Sequence, residues 1–422
     1  MHRIQHIVQH VQAGMPLRAE ATGAMSASAK SDDDVVICCA IRTAVTKAKK
    51  GGFKDTSPEE MLSPLFKAVV EKTKVDPKVI GDVQIGNVLQ GGAGAMQARI
   101  GMFLGDLPYE VPVSAVNRQC SSGLQAVANI AASIKAGVID VGLAGGVEQM
   151  SMYPMTAGVD PSKLSSAVSE NEWAAACIIP MGITSENVAE KWGIPREVQD
   201  TMAVESHAKA LAAQKAGLFD EEIVPVTAKV KDKEGKVTEV LVKADDGPRA
   251  GTTLEGLGKL KAVFKDGGST TAGNASQVSD GAAVVLLARR AAAVKQGLPV
   301  LARLRSFAVV GVDPNVMGIG PAYAIPVALD KAGVKINDID IFEINEAFAS
   351  QATMSIQHLN IPKEKLNPKG GAIALGHPLG CTGSRQIATL LPELKRTGSK
   401  MGVVSMCIGS GMGAASVIES EM

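Results

Sequence analysis

Two stretches of this chain, residues 120–147 and 380–407, run in step. Each reads as a helix rich in small residues that leads into a strand, with Gly123 answering Gly383 and Gly142 answering Gly402. The echo continues upstream, where "DVQIGN" and "DIDIFEIN" set Asp82 and Asn87 opposite Asp340 and Asn345. A duplicated unit restricts the fold to two similar halves, whose loops from equivalent strand ends lie side by side. Chance repetition in a chain with 44 glycines is the competing explanation. Throughout, β-branched segments alternate with longer helical patterns, as in "VPVSAVN", "CSSGLQAVANIAASIKAG" and "VIDVGLAGG". That order predicts an α/β protein with mostly interior strands. Residues 150–268 break the alternation with proline, charge and short periodic pieces, and read as an insertion capping the first half. It closes on "STTAGNASQVSDGAAVVLLARR", a turn-rich loop feeding a buried strand.

Several function classes fall away on composition. Lys+Arg and Asp+Glu both number 43, so the chain is formally neutral, with no long basic face for nucleic acid or an anionic membrane. Any anionic ligand must then be met by a local basic cluster. Apolar runs such as "VVICCAI" and "AAVVLLA" fall far short of the roughly 20 residues that span a bilayer. Aromatics make up 3%, which argues against a base-stacking platform. The six cysteines, at 38, 39, 120, 177, 381 and 407, show no C-x-x-C spacing. In a chain of 422 residues this points to a reducing compartment and to thiols free for chemistry, not to a disulfide framework. Outside the first ten residues the histidines are His207, His358 and His377, without metal-ligand spacing, and no metal site is expected.

The first nineteen residues, "MHRIQHIVQHVQAGMPLRA", contain no acid, and Ile4, Ile7, Val8 and Val11 recur at helical spacing. This reads as an address. Arg3-Ile4, five residues, then His10-Val11 resembles the amino-terminal peroxisomal targeting nonapeptide, with Val11 where Leu or Ala is usual. The expectation is a targeting leader and linker over 1–34, a peroxisomal location and an import receptor as partner. A mitochondrial presequence and a plain disordered tail are the alternatives.

Three constellations carry chemistry. Cys120 follows a strand-like segment and precedes Ser-Ser-Gly at a helix start, where amide donors and the macrodipole favour thiolate. Gly123 leaves room for something to approach the sulfur. Taken alone, Cys120 reads more readily as an inert buried cysteine. His377 stands in "NPKGGAIALGHPLGCTG", where Pro378 suits a first helical position; a helix mouth there keeps the imidazole a neutral base. In "GVVSMCIGSGMGAASVI" a buried strand delivers Cys407 before Gly409, Gly411 and Gly413, whose amides can form an anion-binding nest. The formal dinucleotide fingerprint in that run fails, because too few residues follow it for a helix and second strand. "DIDIFEINEAFASQ" ends an alternating strand on Asn345, which either caps a helix or holds a water at an oxyanion.

In that order, "VNRQCSSGLQAV", "NEAFA", "NPKGGAIALGHPLGCTG" and "MCIGSGMGAA" resemble the thiolase (acetyl-CoA acyltransferase) family over residues 35–422. "STTAGNASQVSDGA" is similar to that family's CoA-contacting loop. The resemblance implies a duplicated five-layer αβαβα fold. Its N-terminal half covers 35–289, with the loop domain inserted at about 150–268, and its C-terminal half covers 297–422. The implied reaction is thiolysis of 3-ketoacyl-CoA by CoA, the last step of fatty acid β-oxidation. A biosynthetic acetoacetyl-CoA thiolase or another condensing enzyme is the alternative. The resemblance makes Cys120 the nucleophile, His377 the base that activates it, and Cys407 the second acid/base. It gives Asn345 and His377 one oxyanion hole and the amides of Cys120 and Gly409 the other. It sets Ser276 on the pantetheine arm and Arg249 near the CoA nucleotide; for Arg249 a solvated surface charge is the competing reading. CoA is a substrate, no separate cofactor is implied, and a homodimer follows from the family alone. "IRTAV" lacks the proline common after Arg-Thr, and Ser410 stands where many members have glycine.

Overall fold

The structure, a computed structural model, describes residues 29–157 and 160–422. The targeting leader expected at the amino terminus lies almost wholly outside the described residues. Ser31–Met422 folds as one unit.

Twelve strands are present among the described residues: β1 Val35–Arg42, β2 Thr46–Lys47, β3 Asp82–Gly86, β4 Val113–Val116, β5 Val141–Gln149, β6 Val226–Lys231, β7 Val237–Val242, β8 Ser279–Arg289, β9 Ala302–Gly311, β10 Ile341–Ile344, β11 Met401–Ile408 and β12 Met412–Ser420. The first half forms a sheet in the order β4-β3-β5-β8-β1, and the second forms β10-β11-β12-β9. Corresponding pairs run alike. β3·β5 and β10·β11 are parallel, whereas β5·β8, β11·β12, β8·β1 and β12·β9 are antiparallel. Two residue pairs, Val36↔Arg303 and Ile37↔Ala302, join the sheets through β1 and β9. The counterpart of β4 in the second half shrinks to one parallel bridge, Phe342↔Leu366. Hairpin β6-β7 belongs to the inserted segment and stands apart from both sheets.

Layering follows from which faces are apolar. The helices Ser122–Lys135 and Thr382–Thr397 share one core with inward residues of both sheets, including Leu124, Val127, Ile387 and Leu390 against Val285, Leu287, Val404 and Met406. The helix Pro58–Thr73 covers the far face of the first sheet through Met61, Leu62, Leu65 and Phe66. Gly320–Ala332 and Ala349–Leu359 cover the far face of the second through Ile325, Leu329 and Ala352. The result is helix, sheet, helix, sheet, helix.

The two central helices touch backbone to backbone. A Cβ on Gly123 would lie 2.6 Å from the Gly380 carbonyl oxygen, and one on Gly383 would lie 2.5 Å from the Leu124 nitrogen. The sequence reading assigned Gly123 to access at the sulfur. Its observed work is helix packing, and it does so in register with its duplicate.

The inserted segment is pinned to both halves by buried charge. Arg42 on β1 binds Glu222 at 2.7 Å and Asp245 at 2.7 Å, while Lys369 of the second half binds the other Glu222 oxygen at 2.6 Å. The Phe219 ring lies beneath both cations, 5.2 Å from Arg42 and 5.0 Å from Lys369. Two cations and two carboxylates balance. Leaving any one unpaired costs about 3–5 kcal/mol, so the three segments are locked together.

Candidate active site

Cys120 sits on a corner between β4 and the 122–135 helix, where Gln119 takes a left-handed φ of 48°. The Ser122 hydroxyl holds the corner, accepting from the Arg118 amide at 3.0 Å and donating to the Gln119 carbonyl at 2.6 Å. The thiol is buried among Val88, Leu89, Met150 and Leu379. Its own amide and that of Gly409 both donate toward the sulfur. These are the two amides that the family resemblance pairs as an oxyanion hole.

The amides favour thiolate, as the sequence reading expected, but burial outweighs them. It pushes the Cys120 pKa up to about 11, with the Glu148 carboxylate adding to the rise. Burial thus favours the thiol at rest, against the pull of the amides. Cys407, on β11 just before the hairpin turn, is raised further by burial and by the nearby Cys120 sulfur. The two sulfurs are thus close enough to sense each other's charge. The turn itself, 409–411, holds Ser410 at φ 64° and Gly411 at φ 89°. A left-handed serine costs roughly 1 kcal/mol that a glycine would not.

His377 lies between the one-turn helix Ala372–Leu375 and Pro378, and the long helix begins only at Thr382. The helix-mouth placement expected for it is therefore late by a turn. Its neutrality has another origin. Burial, followed by the Arg385 guanidinium, lowers its pKa to about 3. The tautomer follows from hydrogen bonding. Thr382 Oγ1 donates its one proton to the Pro378 carbonyl at 2.9 Å, so it must accept from His377 Nδ1–H at 2.6 Å. Nε2 is then the unprotonated nitrogen, as a base requires. It accepts a long hydrogen bond from Asn345 Nδ2 at 3.4 Å.

Asn345 does not cap a helix, because Ala349–Leu359 begins beyond it with Phe348 at the cap. Its Oδ1 is buried without a partner among the described residues, the signature of a site that takes a water. Ala347, two residues on, packs against Cys407. Ser276 joins the same assembly, since its amide donates to the Ala347 carbonyl at 3.0 Å. The next residue, Gln277, accepts from the His377 amide at 3.0 Å. Arg249 is farther out and exposed. Its amide donates to His207 Nδ1 at 3.2 Å, and its loop is tied inward by Gln277 Nε2 on the Gly247 carbonyl at 3.0 Å.

Sequence reasoning missed four contributors. Lys47 lies in the field of Arg249 and Lys50: burial, then Arg249, then Lys50 lower its pKa against the pull of Asp246, which marks a local cationic patch in a neutral chain. The run "TKAKK" was the available signal. Thr382 orients His377. Glu148, within β5, accepts from Val88 N at 3.0 Å, Leu89 N at 3.2 Å, Asn87 Nδ2 at 3.0 Å and Gly380 N at 2.9 Å. It thereby staples the loop after His377 to the wall around Cys120, and burial raises its pKa to about 7.

Together these groups offer a thiol nucleophile, a neutral imidazole base, a second thiol and two sets of oxyanion donors. That set suits acyl transfer through a thioester. The family model for the thiolase N-terminal domain matches residues 35–291, and that for the thiolase C-terminal domain matches 298–420. The chain is 58% identical to rat "3-ketoacyl-CoA thiolase A, peroxisomal" over 424 residues, 99% of this chain and 97% of that protein. It superposes with a TM-score of 0.85 on the dimeric peroxisomal thiolase of Saccharomyces cerevisiae at 48% identity, covering 93% of this chain and 99% of that one. A second structure of the yeast 3-ketoacyl-CoA thiolase, described as five-layered with two core domains of identical topology, matches with a TM-score of 0.75 at 44% identity. It covers 93% of this chain and 99% of that one.

Proposed function

The chain belongs to the thiolase family, and on that premise we propose how its residues cleave 3-ketoacyl-CoA with CoA. The products are acetyl-CoA and a shortened acyl-CoA, and the setting is peroxisomal β-oxidation; the relatives named above are themselves described as peroxisomal thiolases. The observation that supports the residue assignment is that Cys120, Cys407 and the Gly409 amide meet, and that the Asn345–His377 pair adjoins them through Leu379 against Cys120 and Ala347 against Cys407.

His377 Nε2 takes the Cys120 proton as the sulfur attacks the keto carbon. The resulting oxyanion rests on the amides of Cys120 and Gly409, each such donor contributing on the order of 3 kcal/mol. Collapse breaks the bond between the keto carbon and its neighbour and leaves an acyl-Cys120 thioester and the enolate of acetyl-CoA. The enolate oxygen is met by protonated His377 and by a water on Asn345. Cys407 protonates the enolate carbon, and acetyl-CoA departs. The Cys407 thiolate then deprotonates incoming CoA, whose sulfur attacks the thioester. Cys120 leaves and recovers its proton from His377. The proton count closes over one turnover, and Cys407 performs both proton transfers at carbon and sulfur.

Ser276 and the Lys47, Lys50 and Arg249 cluster are assigned to the CoA arm and its phosphates. The yeast relative is dimeric, and a homodimer is proposed for this chain. Support comes from β4, an edge strand, and from the exposed apolar face of the helix Ala95–Leu104 with Met96, Ile100, Phe103 and Leu104. Purified protein is expected to sediment as a dimer and to turn over 3-ketoacyl-CoA beyond one equivalent only when free CoA is supplied. CoA-independent turnover overturns the thiolytic assignment. Among the described residues no helix is long and apolar enough to cross a membrane. Import through a receptor that reads the leader is the matching proposal. Residues 1–34 fused to a fluorescent protein should mark peroxisomes, and mitochondrial labelling refutes it.

A further inference from the structure

Two similar halves imply two similar places where they meet. At one of them, Cys120 of the first half meets Cys407 and the Gly409 amide of the second, with Asn345 adjoining. Exchanging the halves sets Gly380 against Asn87, Val147 and Glu148, and these residues do meet. Asn87 Nδ2 donates to the Val147 carbonyl at 2.7 Å and to Glu148 Oε1 at 3.0 Å, while the Gly380 amide donates to Glu148 Oε2 at 2.9 Å. We infer that Glu148 plugs this second copy of the catalytic anion site with its own carboxylate and so acts as a positioning residue that holds His377 against Cys120, an inference that rests on the thiolase reading above.

The two corners are built alike. Ser121 N donates to the Arg118 carbonyl at 3.1 Å, and Cys381 N donates to the Pro378 carbonyl at 3.0 Å. The helices then begin at Ser122 and Thr382. Cys120 and Gly380 therefore hold the same place, but the Cys120 amide faces a sulfur and the Gly380 amide faces a carboxylate oxygen. Residue 380 can carry no nucleophile, because a Cβ there would lie 2.8 Å from the Gly86 carbonyl oxygen.

One copy is open and the other is sealed. Asn345 keeps Oδ1 without a partner among the described residues, whereas Asn87 Oδ1 accepts from the Gln90 amide at 2.9 Å. Four donors surround the Glu148 oxygens: Asn87 Nδ2 and the amides of Val88, Leu89 and Gly380. An ionised carboxylate satisfies all four, while a carboxylic acid would have to aim its proton at a donor. Burial works against the charge, and these same donors oppose that rise.

The plug also spans the two reacting groups. Val88 and Leu89 line the Cys120 thiol together with Leu379, the neighbour of Gly380. His377 lies three residues before Gly380. One buried side chain thus ties the wall of the nucleophile to the loop that carries the base.

Two variants test this role. Glu148→Gln keeps the volume but turns an amide group toward two of the donors, and Glu148→Ala empties the plug. With 3-ketoacyl-CoA and CoA, each is expected to lose about 10²-fold in kcat, the cost of displacing a catalytic group by about 1 Å. KM for CoA should stay within about twofold of wild type, since the phosphate-binding side is untouched. Formate supplies the two oxygens without the side chain and should raise kcat of Glu148→Ala about tenfold, whereas sodium chloride at equal concentration should not. Glu148→Gln carries the test if Glu148→Ala does not fold. An undiminished kcat in Glu148→Gln, a loss confined to KM, or formate acting no better than chloride overturns the plug and leaves the thiolase reading standing. Wild-type protein that fails to cleave 3-ketoacyl-CoA in the presence of CoA overturns both.

Discussion

Cys120→Ser is expected to lower kcat by on the order of 10⁴-fold or more, the loss that follows removal of a covalent nucleophile. The oxygen is a poorer nucleophile, and the site that houses it was shaped around a sulfur. Wild-type enzyme given 3-ketoacyl-CoA without free CoA should carry the acyl group on the peptide containing Cys120, and the variant should carry none. An adduct on Cys407 with none on Cys120 reverses the assignment. The pH dependence has a definite sign. Burial lifts the Cys120 pKa to about 11, so the thiolate fraction at pH 7 is on the order of 10⁻⁴. Alkylation of Cys120 by iodoacetamide should therefore rise about tenfold per pH unit between pH 7 and 10. A plateau near neutrality means that the imidazole and amides hold the sulfur as thiolate after all.

Cys407→Ala is expected to cost about 10²- to 10⁴-fold in kcat, the range for a positioned acid/base. The informative measurement is exchange of the acetyl-CoA methyl hydrogens with deuterated solvent, which needs the enolate step alone. Exchange should disappear with the sulfur, while Cys120 remains open to alkylation. Retained exchange would move the proton transfer to another group. His377 is the competitor, but its pKa lowered to about 3 by burial makes it a weak acceptor in the free enzyme. Its role therefore depends on the charge that develops on Cys120 during attack.

Some of this was legible in the chain because local punctuation marks it. Cys120, His377 and Cys407 are each framed by glycine, proline or serine at the ends of apolar segments, where backbone corners expose side chains. The duplication was legible for the same reason: Gly123 and Gly383 recur because two helices meet there. Ionisation was not legible. The helix-terminus argument gives the direction of one contribution, but burial depends on segments hundreds of residues away. Glu148 was hidden inside a strand, and its donors come from residues 87–89 and 380. Thr382 looked like an ordinary helix-start residue until its two hydrogen bonds fixed the imidazole. Ser276 and Arg249 were placed by resemblance. The structure sets Ser276 against the Ala347 carbonyl and leaves Arg249 at the rim, where Lys47 and Lys50 complete its charge.

The close approach of the two central helices at Gly123 and Gly383 also bears on how substrate reaches the site. Two helices in backbone contact have no side-chain cushion to compress, and the β1·β9 pairing bars the sheets from sliding apart. The halves therefore cannot breathe like the lobes of a clamshell. A bulky thioester must therefore enter and leave with the halves held together and with the inserted segment still anchored where Glu222 meets Arg42 and Lys369.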